Sequence, residues 1–231
     1  MAKMIGILGA MSVEIDAVKH MVSAPECKHI GGVEFVKGRI GTQEVVVAQC
    51  GIGKVFAGIA AQTMILCYGV DAVINVGVAG TLSEKVGLLE LAIATEVVQH
   101  DMDTSALGDP VGMISGINKV KLPASEALCE KIAEAAKELG IPYACGVIAS
   151  GDRFIADRAK KEWIRDTFDA IACEMEGAAI GQVCYVGGVD FAILRAISDN
   201  ADDAAGSMDY PTLCERAAKQ TQRLIAAMFA K

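Results

Sequence analysis

The sequence predicts an α/β fold in one domain, residues 1–231, with a central sheet that is mixed but largely parallel. Three observations carry this. Short runs of Val, Ile, Leu and Ala with the length of buried strands alternate with segments of helical period along the whole chain. No linker or shift of composition divides the 231 residues, a length that buries roughly 70% or more of its unfolded surface and needs no staples. The hydrophobic fraction is 53% with only 5% aromatic, so the core is built from Ala, Val, Ile, Leu and Met.

In order along the chain, Met4–Leu8 reads as a buried strand with a tight turn at Gly9-Ala10. Ser12 is suited to cap a short helix whose inner face is Ile15, Val18 and Val22. Val33–Ile40 and Glu44–Gln49 form a hairpin across Gly41-Thr42. Lys54–Tyr68 is helical and rich in small residues, and Ala72–Val76 is a strand running into Gly77-Val-Ala-Gly80. Leu91–Val98 is a strand that ends in Gln99-His100-Asp101, and Met102–Leu122 is a loop with no periodicity, the kind that is usually functional. Ser125–Leu139 is the clearest helix, with Leu128, Ile132, Ala135 and Leu139 on one face and Gly140 as its stop. Tyr143–Ala149 is a strand, Ala156–Thr167 a short helix, and Ala170–Ala172 a strand leading into a helix near Glu174–Tyr185. Phe191–Ile197 is the last strand and Thr212–Ala230 the last helix.

Several functions are set aside by composition and spacing. A net charge of −8 disfavours nucleic acid and anionic membranes, which need a basic face. Eight cysteines contain no Cys-x-x-Cys, the N-terminus has no secretory h-region, and no apolar run approaches the ~18 residues of a membrane span, so a reducing cytoplasm is the expected setting. Gly51-x-Gly53 lacks the third glycine of a dinucleotide fingerprint, and Gly53-Lys54 is followed by Val55, not the Ser or Thr of a P-loop. Three histidines, His20, His29 and His100, offer neither a zinc cluster nor a serine-hydrolase triad, and no metal or cofactor is expected.

Carboxylates remain. Glu14, Glu174, Glu176 and Asp199 fall at or just after strand ends, where an open α/β sheet places its chemistry. Asp199 is either a cap on the next turn or a working group, and Glu174 has the same two readings. Two opposed carboxylates suit cleavage of a glycosidic bond, one protonating the leaving group and the other activating water. A third can hold sugar hydroxyls.

Six motifs then appear in one order: Gly6-Ile-Leu-Gly-Ala-Met11-x-x-Glu14, Gly51-Ile-Gly-Lys54, Asn75-Val-Gly-Val-Ala-Gly80, Ser150-Gly-Asp-x-Phe-Ile155, Glu174-Met-Glu176 and Arg195-Ala-Ile-Ser-Asp199. Together they resemble the 5′-methylthioadenosine/S-adenosylhomocysteine nucleosidases, over residues 4 to about 225. The resemblance implies a phosphorylase-like, three-layer α/β/α fold. It implies hydrolysis of the N-glycosidic bond of 5′-thioadenosines, with 5′-deoxyadenosine beside them, to release adenine. It also implies a homodimer whose 102–122 loop contributes to the neighbour's site. Carried over by residue, Glu14 positions the attacking water, and Asp199, held by Ser198, protonates adenine N7. Glu176 binds the ribose hydroxyls beside Met175, Phe154 stacks on the base, and the backbone at Ile155 reads its edge. Met11, Ile52, Gly80 and Tyr210 line the pocket, and Arg195 joins the substrate-binding set through Glu174 or the water network. Val76 and Val78 stand where the family usually has Thr and Ser, which removes two hydroxyls near the water and sugar. Phosphorylases on this fold hold phosphate with arginines in the first strand–turn and in the glycine motif, and neither place has one here. Futalosine-type nucleosidases differ only in the 5′-substituent and stay open as an alternative.

Overall fold

A computed structural model describes residues 4–202 and 210–229. Its ten strands are β1 (Met4–Gly9), β2 (Ser23–Ile30), β3 (Val33–Ile40), β4 (Gln43–Gln49), β5 (Ala72–Thr81), β6 (Leu91–Gln99), β7 (Lys121–Pro123), β8 (Tyr143–Ser150), β9 (Ala170–Glu174) and β10 (Asp190–Asp199). The helices are α1 (Ser12–Lys19), α2 (Lys54–Thr63, continued by a π-helical turn to Tyr68), α3 (Glu126–Glu138), α4 (Arg158–Phe168), α5 (Gly177–Gly187) and α6 (Tyr210–Phe229). The expected end of the last helix at Ala230 lies outside the described residues.

One mixed sheet holds all the strands. β2, β3, β4, β1 and β5 follow one another across it, and β5 then pairs with both β10 and β9. From β10 the order runs β6, β8, β9 and back to β5, so five strands close a ring. Parallel pairs join β1 to β4 and β5, β5 to β10, and β6 to β8 to β9. β5 meets β9 head to head over two pairs only, Gly80 with Cys173 and Thr81 with Ala172. That crossing brings the carboxyl ends of two oppositely directed strand sets to one place.

Alternation along the strands feeds two helical layers. Leu8, Val46 and Val73 pack with Ala57, Ala60 and Met64 of α2 and Ile180 of α5. Ile7, Val47 and Ile74 pack with Ile15 of α1, Ile132 of α3 and Leu224 of α6. A smaller cluster sits under α4, around Ile155, Ile164 and Phe168.

The differences from expectation are local. β2 has no apolar period because it is an exposed edge carrying Pro25, which a central strand would not tolerate. The 102–122 loop contains a 3-10 turn at Ser105–Leu107 and leads into β7. Ser12 is the first helical residue, and Met11 takes the cap position. Among the described residues no helix is long and apolar enough to cross a membrane, and no group of three or more His, Cys, Asp or Glu is set to hold a metal ion.

Candidate active site

The first carboxylate is built from main chain. Glu14 lies in the first turn of α1 and folds back, so that Oε2 accepts the N–H groups of Ala10 and Met11, both at 2.8 Å. Oε1 accepts the Val78 N–H at 2.9 Å, across from the glycine motif of β5. Gly77 has to be glycine, since a Cβ there would collide with Glu14 and the Arg195 guanidinium. A carboxylate has about four lone-pair sites, so three fixed donors leave one for a water. The contact from residue 78 comes from its backbone, and it survives the Val side chain. Val76 points away into the core between β5 and the α1, α3 and α6 layer, fully buried.

The second cluster forms where β9 turns into α5. Glu174 Oε2 accepts the N–H groups of Glu176 at 3.0 Å and Gly177 at 2.8 Å, so Glu174 satisfies the start of α5 as one of its two readings had it. Its other oxygen meets the Ser150 hydroxyl, which itself accepts the Ala178 N–H at 2.7 Å. Glu176 reaches the other way, accepting the Gly53 N–H at 2.9 Å. Burial, and then the neighbouring Glu174, push the Glu176 carboxyl up to about 7.

Asp199 closes the set. The register of β10 on β5 slips between Ile197 and Asp199, leaving Ser198 as an extra residue. Such a bulge re-aims the side chain that follows it. Asp199 Oδ2 accepts the Ser198 hydroxyl at 2.9 Å and Oδ1 accepts the Ala201 N–H at 2.8 Å. Burial is the largest influence on its carboxyl and raises its proton affinity.

These groups share one concave, mainly apolar cleft, the kind of surface on which small-molecule sites are built. Met11, Glu14, Ile52, Gly80, Phe154, Ile155, Met175, Glu176, Ser198, Asp199 and Tyr210 all line it. Phe154 is 46% exposed and meets Tyr210 edge to face, with ring centroids 5.9 Å apart. Arg195 is the exception. It is fully buried behind the wall, bonded to Glu174 and Asn75 and 3.6 Å from Glu176, so it supports the carboxylates and does not reach a ligand.

Three participants stood in the sequence only as motif positions, with no role assigned to them. Ser150 and Asn75 are held through partners distant in the chain. Lys54 donates its Nζ to Asp101 at 2.7 Å and to Gln99 at 3.2 Å, while its N–H goes to Asp152 at 2.8 Å. The Asp152 N–H returns to Asp101 at 2.8 Å. This net ties the Gly51–Lys54 turn to the Ser150–Asp152 turn, and it gives Asp101 a structural use.

The geometry has relatives. A family model described as the phosphorylase superfamily matches residues 4–230. An aminodeoxyfutalosine nucleosidase of Helicobacter pylori is 38% identical over 229 residues, 99% of this chain and 98% of that one. A 5′-methylthioadenosine/S-adenosylhomocysteine nucleosidase of Shewanella sediminis is 35% identical over 97% of both chains. The crystal structure of the enzyme of that name from Neisseria meningitidis, in complex with methylthio-immucillin-A, superposes with a TM-score of 0.94 at 31% identity over 99% of both chains.

Proposed function

The chain belongs to the phosphorylase superfamily and to the 5′-methylthioadenosine/S-adenosylhomocysteine nucleosidases within it, and we propose that it hydrolyses 5′-thioadenosines, with 5′-deoxyadenosine beside them, to adenine and the 5-thioribose or its 5-deoxy counterpart. In this reading Asp199, whose affinity for a proton is raised by burial, gives its proton to adenine N7 as the C1′–N9 bond breaks. The sugar passes through an oxocarbenium-like state, and water held by Glu14 adds its oxygen at C1′ while its proton passes to the Glu14 carboxylate. Glu176 takes the ribose hydroxyls, Phe154 and Tyr210 cover the base, and Met11, Ile52 and Met175 close the apolar sides.

One observation carries water over phosphate as the nucleophile. The N–H groups of Ala10, Met11 and Val78 converge as an anion trap would, and the protein's own Glu14 carboxylate fills it. A phosphate brought there would meet like charge. Two copies are proposed to complete the site. Val55, Phe56 and Ile59 of α2 and Val186 of α5 are exposed on adjoining helices, and Leu107 of the 102–122 loop is 84% exposed. Exposed apolar side chains on adjoining helices are the kind of surface a second copy would cover. Eight unpaired cysteines suit a reducing compartment.

A second reading concerns only the 5′-group. The 38% identity to the Helicobacter pylori aminodeoxyfutalosine nucleosidase favours acceptance of that larger substituent as well. The test is adenine release from methylthioadenosine, adenosylhomocysteine, 5′-deoxyadenosine and aminodeoxyfutalosine, with and without phosphate. Release from the thioadenosines without phosphate is expected. Release that requires phosphate would overturn the assignment.

A further inference from the structure

We infer that Lys161, on α4, is a positioning residue for the acid: its ammonium holds the Asn200 carbonyl and keeps the turn after β10 pressed against Asp199. The inference rests on the acid role proposed above. Lys161 Nζ donates to the Asn200 carbonyl oxygen. The next residue, Ala201, is fully buried and left-handed at φ +50°, a conformation that residues with a side chain rarely adopt and that surrounding structure must impose. The N–H of that strained residue is the one given to Asp199 Oδ1 at 2.8 Å.

The turn is tight on its inner side too. A Cβ at position 80 would lie 2.7 Å from Asp199 Oδ1 and 2.8 Å from the Ala201 Cβ, so β5 presents glycine there. On the outer side the other cations of α4 are engaged along the helix, Arg158 with Glu162, Arg165 with Asp166 and Lys160 over the Trp163 ring. Lys161 is left to the turn.

The charges around Asp199 fix the sign of the effect. Burial and Asp202 raise its proton affinity, while Lys161, the Ala201 N–H and the Ser198 hydroxyl lower it. Cys173 of β9 and Tyr210 and Cys214 of α6 also face it and bring no positive charge. Lys161 therefore acts twice, through its own charge and by holding the Ala201 donor in place. Losing it raises the affinity of Asp199 for its proton and lets the carboxyl drift from its aim.

The experiment is the pH dependence of kcat/KM for Lys161→Met, Lys161→Gln and Lys161→Arg, with Asp199→Asn as reference and thermal midpoints recorded beside them. An acid loses activity as pH rises through its pKa, so it sets the alkaline limb. In Lys161→Met that limb is expected to move up by roughly half a pH unit. The plateau rate should fall about tenfold, part of the roughly 10²- to 10⁴-fold that a positioned acid supplies. Lys161→Gln, which keeps a donor without the charge, should shift the limb and keep more of the rate, and Lys161→Arg should restore both. A limb that stays at the wild-type position in folded Lys161→Met and Lys161→Gln overturns the inference, as does an Arg variant no better than Met. Should Asp199→Asn itself stay active, the acid role fails first. Should it be inactive while the Lys161 variants keep the wild-type profile, this inference fails alone.

Discussion

At the scale of single residues the site separates two carboxylates by what surrounds them. Glu14 is ringed by three main-chain donors, while Asp199 has one backbone N–H, one hydroxyl and a dry setting that favours its proton. Asp199→Asn and Glu14→Gln are each expected to lower turnover by roughly 10²-fold or more with the fold intact, read by steady-state rates and circular dichroism. Near-normal turnover in either would remove that residue from its role. Glu176 supplies a different readout. Its carboxyl rises from an ordinary value of 4.5 to about 7, so between those values the folded chain binds more protons than the unfolded one. Its contribution to stability is complete below the lower value and is lost as pH rises through the upper. The thermal midpoint of the free protein should fall across that window, and Glu176→Gln should flatten the slope. An equal slope in the variant would show that other groups set it.

At the scale of elements, Arg195 joins β10 to the β9–α5 turn and to β5. It is wholly buried, with Glu174 and Asn75 bonded to it and Glu176 nearby. Removing it leaves carboxylates facing one another without a counter-charge, so Arg195→Met should cost about 3 to 5 kcal/mol in urea unfolding at neutral pH. A loss under about 1 kcal/mol would mean that the carboxylates had taken up protons and needed no partner. Here the sequence was legible in part. Asp199 and Glu176 were visible because a carboxylate at the end of an apolar run is out of character with burial. The trap around Glu14 was not, because it is made of backbone N–H groups, which carry no residue-type signal. The Lys54–Asp101–Asp152 net spans 47 and 98 residues of chain, and nothing local announces such a pairing. β2 was hidden for the opposite reason, being an exposed edge with no apolar face to repeat.

At the scale of the whole molecule, the alternation of strands and helices already implied one α/β domain on a mixed, largely parallel sheet, and the family resemblance added the helical layer on each face. It did not imply that five strands close on themselves, because closure depends on two residue pairs between β5 and β9. That closure draws the strand ends together beside α2 and α5, whose exposed Val55, Phe56, Ile59 and Val186 are proposed to meet a second copy. Sedimentation should give a dimer, and Phe56→Asp a monomer with impaired turnover. A fully active monomer would refute the shared site.

The most direct test of the central claim is the identity of the sugar released from methylthioadenosine in saturating phosphate. With Glu14 filling the anion trap, the product should be adenine and free methylthioribose, at a rate that phosphate leaves unchanged. Accumulation of methylthioribose 1-phosphate would contradict it.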